Sequence, residues 1–245
     1  MKNIVIMGAT SGISQAVAKQ MLADDVCFHL VARDIEKLNI VASDLKSRGC
    51  GGVVCYQLDF NELQQHTAIV YDIANKAGVI DTLFICYGLM YPQQECEINV
   101  EKALEQVKSN YTSVVSLLVL FSQLMQKQNA GTIAVVSSVA GDRGRKSNYI
   151  YGSAKAGLTT FLEGLRYQLY EYGIQVLTIK PGFVDSPMTE HLKKGALWVS
   201  TDVVAGYIVK AIHKKKSVIY VPPFWFLIMA IIKIIPVFIF RKLNF

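Results

Sequence analysis

The amino-acid sequence predicts an α/β protein built on a single doubly wound parallel sheet of about seven strands. Two patterns predict it: short apolar runs rich in β-branched residues recur along the chain, and segments with helical periodicity separate them. Strands that alternate with helices form parallel sheets with helices on both faces. The strand candidates are residues 3–7, 26–32, 53–58, 82–87, 132–137, 176–180 and 218–221.

The composition agrees with one globular domain and an unusual C-terminal segment. Hydrophobic residues make up 52% and charged residues 18% of the 245 positions, which excludes intrinsic disorder, collagen-like repeats and polar low-complexity sequence. The sequence has no short repeat and no Gly/Ser linker. We therefore predict one domain over residues 1–222 and an apolar, basic, helical tail over residues 223–245.

Positive charge is concentrated near the C-terminus. The chain carries 25 Lys and Arg against 19 Asp and Glu, a formal net charge of +6. Residues 1–202 contain 18 of the basic residues and all 19 acids, whereas residues 203–245 contain seven basic residues and no acid. This distribution indicates that the basic tail meets anionic lipid headgroups. No nucleic-acid partner is predicted.

The thiols and imidazoles show no arrangement of metal ligands. The five cysteines are odd in number and contain no Cys-x-x-Cys pair, so neither a disulfide framework nor a zinc site is predicted. The four histidines have no metal-ligand spacing, and no metal is expected. The apolar run at the N-terminus is far too short for a signal peptide. The sequence therefore predicts a cytoplasmic protein.

Residues 224–240 form a 17-residue apolar segment with a single charge, Lys233. At 1.5 Å per residue a helix of this length spans about 25 Å, less than the roughly 30 Å of a bilayer hydrocarbon core. Lys233 and Pro236 also lie inside the segment, so a transmembrane span is disfavoured. Aromatic residues and flanking cations favour a helix that lies in the membrane interface. Packing against the protein or a dimer partner is the alternative.

A glycine-rich loop, residues 8–14 (GATSGIS), joins the first predicted strand to the first predicted helix. This context is typical of a dinucleotide-binding turn, in which glycines let the backbone approach a pyrophosphate and the helix N-terminus offers free N–H groups. The same pattern also fits an ordinary β–α turn. Ser14 replaces the usual third glycine. The candidate cofactor residues here are Gly8, Thr10, Ser11, Gly12 and Ile13.

Arg33 and Asp34 follow the second predicted strand, where this type of fold meets the adenosine ribose. An acidic residue there accepts hydrogen bonds from a 2′-hydroxyl, whereas an arginine pairs with a 2′-phosphate. Because Arg33 comes first, we favour NADP(H) over NAD(H), and Asp34 keeps NAD(H) open. The alternative for Arg33 is a solvated loop cation.

Tyr151 and Lys155 are four residues apart, so a helix places both on one face. A nearby ammonium stabilises a phenolate and is expected to bring the tyrosine pKa closer to neutrality, which suits an acid–base catalyst. Ser138 ends the preceding strand and can offer its hydroxyl to a substrate carbonyl oxygen. Together the three residues predict an acid–base site beside which a substrate carbonyl can bind.

These residues together resemble the classical short-chain dehydrogenase/reductase family over residues 3–222. The resemblance implies a Rossmann-type fold, a nicotinamide dinucleotide cofactor, reduction of a carbonyl group and a homo-oligomer. The features that occur in the order and spacing of that family are the glycine loop, Asp59, Asn110, Ser138, Tyr151, Lys155 and Pro181-Gly182.

The resemblance also implies a role for each matching residue. Tyr151 is expected to give the proton, Lys155 to tune Tyr151 and hold the nicotinamide ribose, and Ser138 to position the carbonyl. Asn110 is expected to support a water-linked proton relay. Asp59 matches the position at the adenine, Val184 and Ser186 match those at the carboxamide and phosphates, and Gly88, Pro181 and Gly182 complete the cofactor residues.

Two positions depart from the family pattern. Cys86-Tyr87-Gly88 stands where Asn-Ala-Gly is usual, so an asparagine that braces the sheet is absent. We therefore expect the region next to the adenosine to be built differently. Ser186 stands where threonine is common and keeps the hydroxyl.

The loop between Ser138 and Tyr151 is basic and borders the site at both ends. Arg143 and Arg145 are the candidates for holding a substrate phosphate, and a solvated basic loop is the alternative. This loop, with residues 180–189, 194–198 and 219–222, is similar to the decaprenylphosphoryl-2-keto-ribose reductase subgroup.

The subgroup implies reduction of a keto group in a polyprenyl-phosphate-linked sugar, at the inner face of the membrane and with a partner oxidase. Two other functions stay open. The same residues suit a ketone in another lipid or a steroid, and the chain could be a nucleotide-binding scaffold that has lost catalysis. The complete catalytic set argues against the scaffold.

Overall fold

The computed structural model describes residues 1–190 and 193–243, and strands and helices alternate through most of them. The strands are β1 (Lys2–Met7), β2 (Val26–Ala32), β3 (Gly52–Gln57), β4 (Thr82–Ile85), β5 (Thr132–Val136), β6 (Gln175–Pro181), β7 (Val184–Asp185), β8 (Val199–Ser200) and β9 (Val218–Val221). The helices are α1 (Gly12–Gln20), α2 (Ile35–Ser47), α3 (His66–Ala77), α4 (Gln93–Ile98), α5 (Val100–Val107), α6 (Ser113–Gln128), α7 (Tyr149–Tyr170), α8 (Thr201–His213), α9 (Phe224–Ile234) and α10 (Val237–Phe240). A π-helical turn joins α5 to α6 at Lys108–Thr112, and 3₁₀ turns occupy Leu63–Gln65, Val139–Gly141 and Pro187–Thr189.

The described residues form one seven-stranded sheet in the order β3-β2-β1-β4-β5-β6-β9. All of its neighbouring strands are parallel. The predicted doubly wound, Rossmann-type sheet is thus confirmed, with each predicted strand at its expected place. A second, parallel pair, β7 with β8, was not predicted, because two-residue strands are too short to give a periodic pattern.

Alternate residues of each strand enter two separate cores, one on each face of the sheet. In β1, Ile4 and Ile6 pack into the core beneath α1, α2 and α8, whereas Val5 and Met7 pack into the core beneath α3, α6 and α7. Burial on both faces explains why the strands are apolar throughout instead of alternating with polar residues. The two cores leave the carboxyl edge of the sheet free to carry the loops.

The loop after β1 is shaped by a glycine that no other residue replaces without strain. Gly8 has φ of 85°, and a Cβ built on it would lie 2.6 Å from the carbonyl oxygen of Cys86. Ser11 then caps α1, because its hydroxyl accepts a hydrogen bond from the N–H of Ser14 at 3.2 Å. The chain therefore turns tightly at the sheet edge, and α1 begins directly behind it.

The apolar tail forms two helices and not one continuous helix. Ile235 leaves the helical conformation with ψ of 123°, as expected for the residue before Pro236, and α10 begins afresh at Val237. Across residues 1–190 and 193–243 no helix combines the length and apolarity that a membrane span requires. Residues 244–245 of the predicted tail lie outside the described residues.

One face of the tail is buried and the other is exposed. Trp225 and Met229 are 3% and 0% exposed and pack with Val139 in a small core. The exposed apolar side chains include Phe226, Leu227, Ile231, Ile234, Val237 and Phe238. The tail therefore has one buried face and one exposed face, although almost every residue in it is apolar.

Replacing Gly8 with alanine tests the tight turn. We expect the Gly8→Ala variant to lose at least about 1–2 kcal/mol in the free energy of unfolding, because the added methyl group forces a positive φ on an L-residue and meets the backbone of Cys86. Urea denaturation followed by circular dichroism measures the loss.

Gly206→Ala is the matched control. A Cβ at Gly206, inside α8, meets its nearest atom at an ordinary 3.6 Å, the Oε1 of Gln20. We expect this variant to gain about 0.5–1 kcal/mol from the higher helix propensity of alanine. Equal stability changes in the two variants would contradict the account of the turn.

Candidate active site

A cavity of about 610 Å³ lies at the carboxyl edge of the sheet, where the loops after β1, β4, β5 and β6 meet. It brings together most of the residues that the sequence analysis singled out. Asp34, Asn110 and Arg143 do not line it. The predicted residues in its lining are Gly8, Thr10, Ser11, Gly12, Ile13, Arg33, Asp59, Gly88, Ser138, Arg145, Tyr151, Lys155, Pro181, Gly182, Val184 and Ser186.

Part of the cavity lining has the features that a dinucleotide needs. The glycine loop and the start of α1 line the cavity, so the close-approach turn and the first N–H groups of the helix face the same space. Arg33 and Asp59 line the same cavity. Asp34 is used elsewhere: its carboxylate caps α2 by accepting a hydrogen bond from the N–H of Lys37 at 3.0 Å. The lining residues fit a dinucleotide.

The departure at Cys86-Tyr87-Gly88 has a structural explanation. The hydroxyl of Ser11 donates a hydrogen bond to Sγ of Cys86 at 3.5 Å. The ring of Tyr87 stacks on that of Phe60 with centroids 3.8 Å apart, and its hydroxyl pairs with that of Ser113 at 2.8 Å. A thiol and a stacked ring therefore hold the segment after β4.

Tyr151 and Lys155 lie on the first turns of α7, beside Ser138 after β5. Lys155 is 3% exposed, and its Nζ donates a hydrogen bond to the carbonyl of Val136 at 3.1 Å and lies 5.7 Å from the centroid of the Tyr151 ring. The hydroxyl of Ser137 donates a hydrogen bond to the carbonyl of Lys155 at 3.1 Å. The helix is thereby fixed against the end of β5, which holds the candidate catalytic residues together.

Close packing at two glycines brings the loop after β5 against α7. A Cβ at Gly141 would lie 2.7 Å from the backbone carbon of Lys155, and one at Gly152 would lie 2.9 Å from the carbonyl oxygen of Ala140. No larger residue fits at either position without a backbone shift. The backbone contact sets how far Ser138 lies from Tyr151.

Burial has the largest effect on the pKa values of the two titratable candidates, Tyr151 and Lys155. Burial raises the pKa of Tyr151 to about 12, although a hydrogen bond with Ser138 lowers it. Burial lowers the pKa of Lys155 to about 8, although the neighbouring Cys86 raises it. Lys155 was expected to bring the pKa of Tyr151 toward neutrality, but in this structure burial raises that pKa instead. Tyr151 therefore carries its proton at neutral pH.

Asn110 supports the site from behind the cavity wall. It lies in the π-helical turn, where its Nδ2 donates hydrogen bonds to the carbonyl of Leu89 at 2.6 Å and to that of Gln106 at 2.7 Å. A Cβ at Gly88 would lie 2.4 Å from its Oδ1. Asn110 thus holds the loop after β4, and Gly88 is required for its approach.

The two arginines of the loop after Ser138 point to different places. Arg143 donates a hydrogen bond to the carbonyl of Ile232, and its guanidinium lies 3.7 Å from the centroid of the Phe240 ring. The expectation that Arg143 holds a substrate phosphate is therefore not met, because the tail occupies its guanidinium. Arg145 does line the cavity.

The sequence analysis missed a buried ion pair that fixes this loop. Nζ of Lys180 lies 2.6 Å from Oδ1 of Asp142, and the hydroxyl of Tyr220 donates a hydrogen bond to Oδ2 of Asp142 at 2.6 Å. Burial and the Asp142 carboxylate raise the pKa of Tyr220. Two features of the sequence could have indicated this pair: Asp142 is the single acid in a basic loop, and Lys180 lies inside a mostly apolar strand.

The C-terminal tail also reaches the site, which the sequence did not predict. Trp225 of α9 lines the cavity and packs so closely on Gly182 that a Cβ at that glycine would lie 1.9 Å from the indole ring. The ring of Phe183 meets the indole edge-on, with centroids 5.5 Å apart. A tryptophan close to a predicted domain boundary gave no sequence signal for a contact with the Pro181-Gly182 segment.

Comparisons with known proteins agree with this geometry. The chain is 33% identical over 242 residues to an uncharacterised oxidoreductase of Mycobacterium tuberculosis, with 98% of this chain and 96% of that protein covered. It is 30% identical over 243 residues to an uncharacterised oxidoreductase of Streptomyces coelicolor, with 99% and 96% covered. An alcohol dehydrogenase structure from Thermococcus sibiricus, complexed with 5-hydroxy-NADP, has a TM-score of 0.80 at 21% identity and covers 90% of this chain and 95% of its own.

The family assignment follows from these matches. The short chain dehydrogenase family matches residues 2–196, which is most of the chain and includes the glycine loop and the catalytic residues of α7. Relatives described as oxidoreductases match over nearly their whole length. The chain belongs to the short chain dehydrogenase family of oxidoreductases, which use a nicotinamide dinucleotide to interconvert an alcohol and a ketone.

Proposed function

We propose that the protein is an NADPH-dependent reductase of a keto group in a polyprenyl-phosphate-linked ketosugar and that it works at the inner face of the membrane. The observation that carries the proposal is one cavity that contains both the carbonyl-reducing residues and a desolvated cation, Arg145. Burial lowers the pKa of Arg145, and the nearby Asp142 raises it. A cation removed from water gains most from an anionic ligand, such as a phosphate.

The chain's own residues perform the proton chemistry. Tyr151, which keeps its proton at neutral pH, donates that proton to the carbonyl oxygen of the substrate. Ser138 donates a hydrogen bond to the same oxygen and fixes its position beside the phenol. The ammonium of Lys155 stabilises the negative charge left on Tyr151. The nicotinamide dinucleotide, when bound, supplies the hydride.

In this proposal the cofactor is held by residues that line the same cavity. The loop from Gly8 to Ile13 would hold the pyrophosphate at the start of α1, and Asp59 would contact the adenine. Arg33 pairs with a 2′-phosphate, since Asp34 is already used as the cap of α2. This division between the two side chains favours NADP(H).

The tail supports a location at the membrane surface. Its exposed side chains are apolar, and the cations Lys233, Arg241 and Lys242 accompany them. A surface of this composition binds bilayers that contain anionic lipids. A substrate anchored by a prenyl chain stays in such a bilayer, so the enzyme meets it there.

Two further partners belong to the proposal. A partner oxidase that makes the ketosugar follows from the subgroup resemblance alone. A homo-oligomer follows from the family resemblance, and an apolar groove along α7, lined by Tyr111, Gly157, Phe161 and Leu165, supplies a surface for it.

A second substrate class is favoured by the apolar part of the cavity. Leu89, Met90, Phe183 and Met188 line it near Trp225. Such a lining also suits a ketone in another membrane lipid or a steroid. The two classes differ in charge, so a panel of phosphorylated and neutral ketones separates them.

The Tyr151→Phe variant tests the proposed reaction. We expect the rate of NADPH oxidation with a short-prenyl-phosphate ketosugar to fall by about 10²–10⁴, because the proton donor is lost. The dissociation constant of NADPH, measured by fluorescence, should stay within about twofold because the ring remains.

Tyr149→Phe is the matched control for that variant. Tyr149 begins α7 and is 45% exposed, so the loss of its hydroxyl should leave the rate unchanged. Unchanged activity in Tyr151→Phe would contradict the reductase mechanism. Equal turnover of simple ketones, acyl substrates and the phosphorylated ketosugar by the wild-type protein would contradict the substrate assignment.

The Arg33→Ala variant tests the cofactor preference. We expect the dissociation constant of NADPH to rise by about 10–100-fold and that of NADH to change little, because only NADPH carries the 2′-phosphate. Arg48→Ala, which removes an exposed cation at the end of α2, is the control. Equal affinity of the wild type for NADPH and NADH, with no loss in Arg33→Ala, would refute this role of Arg33.

Substitutions on the exposed face of the tail test the membrane contact. We expect the full-length protein to float with phosphatidylglycerol vesicles on a density gradient. The triple variant Leu227→Ser, Ile234→Ser, Val237→Ser should stay at the bottom, because these side chains are 64%, 79% and 76% exposed and supply the apolar contact.

The control carries the same number of serine substitutions away from the tail. Ile98, Val100 and Leu104 are 89%, 72% and 63% exposed, and their replacement should leave flotation unchanged. If the wild type does not float, or the tail variant floats equally well, the membrane role of the tail is wrong.

A further inference from the structure

Three unpaired polar atoms are concentrated in the active-site cavity. Within residues 1–190 and 193–243, the buried side-chain atoms without a hydrogen-bond partner are Nε of Arg145, Oδ1 of Asn148 and Nε1 of Trp225. All three residues line the same cavity. An unpaired buried polar group destabilises the folded protein, and native proteins contain few of them. Their concentration at one cavity indicates a ligand that pairs them.

The chemistry of the three atoms defines that ligand. Arg145 and Trp225 each present an N–H donor, and Arg145 also brings a positive charge. The amide oxygen of Asn148 is an acceptor and requires an O–H or N–H group. A ligand with an anionic oxygen next to a hydroxyl group satisfies all three. A sugar phosphate has this arrangement, whereas a neutral lipid or steroid ketone offers no negative charge to Arg145.

Arg145 has a buried donor that no acid pairs. Asp142 is near enough to raise the pKa of Arg145, but its carboxylate oxygens are engaged by Lys180 and by Tyr220, at 2.6 Å each. Among the residues that the structure describes, Nε of Arg145 has no hydrogen-bond partner. This N–H group is therefore available to an incoming anion.

The position of Trp225 depends on the tail. Its ring lies directly on Gly182 and is 3% exposed, while Met229 one turn later is fully buried. Arg143 holds the far end of the tail through the carbonyl of Ile232 and the ring of Phe240. In the basic loop, Arg143 therefore contacts the tail and Arg145 lines the cavity. The tail in turn places Trp225 in the lining of that cavity.

We propose that Trp225, Arg145 and Asn148 form a subsite for the phosphate of the substrate and an adjacent sugar hydroxyl. In this proposal the C-terminal tail completes the active site by supplying Trp225, in addition to its proposed contact with the membrane. This inference rests on the proposed reduction of a phosphorylated ketosugar and adds the residues that select it. Trp225 and Arg145 bind phosphate oxygens, and Asn148 binds the hydroxyl.

Binding of a soluble fragment tests the subsite without relying on turnover. The probe is α-D-ribose 1-phosphate, titrated by calorimetry into the full-length protein saturated with NADP⁺, with methyl ribofuranoside as the uncharged probe. We expect Trp225→Phe and Arg145→Gln each to weaken binding of the phosphate by about 10–100-fold, as for loss of a charge-assisted hydrogen bond. Asn148→Ala should weaken both probes.

Matched substitutions elsewhere control for ring and charge. Trp198 stacks on the other side of Phe183, with centroids 5.4 Å apart, and Trp198→Phe should leave the affinity unchanged. Arg48→Gln removes an exposed charge and should do the same. No binding to the wild type, or equal affinity in Trp225→Phe and Trp198→Phe, overturns the subsite. If Trp225→Phe does not fold, unchanged affinity in Arg145→Gln and Asn148→Ala overturns it.

Assays of turnover separate this inference from the proposed function. Reduction of a prenyl-phosphate ketosugar with equal kcat/KM in the wild type, Trp225→Phe and Arg145→Gln overturns the subsite and leaves the reductase standing. Tight phosphate binding that these variants weaken, with no NADPH oxidation on any ketone tested, supports the subsite and refutes the reductase.

Discussion

The active site depends on the parallel pairing of β1, β4, β5 and β6, whose carboxyl ends meet at one edge of the sheet. Met7, Ile85 and Val135 occupy one row of the register, so the chain leaves three strands at the same level. The glycine loop, the Cys86 segment and Ser138 follow within three residues of that row. Parallel pairing thus gathers residues far apart in sequence around one cavity, as expected for open α/β sheets.

The buried pair of Asp142 and Lys180 is the second constraint on the site. A buried ion pair adds little net stability, but the loss of one partner leaves an unpaired charge. Its effect here is positional, because it ties the loop after β5 to β6, and Tyr220 ties the same carboxylate to β9. Because Asp142 is fixed, Arg143 points to the tail and Arg145 lines the cavity.

Local patterns in the sequence predicted the strands, the glycine loop and the Ser138, Tyr151 and Lys155 set, because periodicity and short spacing determine each of them. These local patterns did not predict contacts between residues that are distant in the sequence. Arg143 meets a tail residue 89 positions away, and Asp142 meets residues 38 and 78 positions away. Burial is also a property of the whole fold, so the direction of the Tyr151 pKa change was not readable from the nearby lysine.

The structure relates two features of the tail, its positive charge and its long apolar segment, to its two faces. The buried face of the tail supplies Trp225 to the cavity, whereas the opposite face exposes apolar side chains beside cations. In the proposed function, a bilayer contact on the outer face and a substrate contact on the inner face would use the same short helix. A lipid-linked phosphate that enters from the membrane would meet this helix first, which gives a physical reason for building part of the site from it.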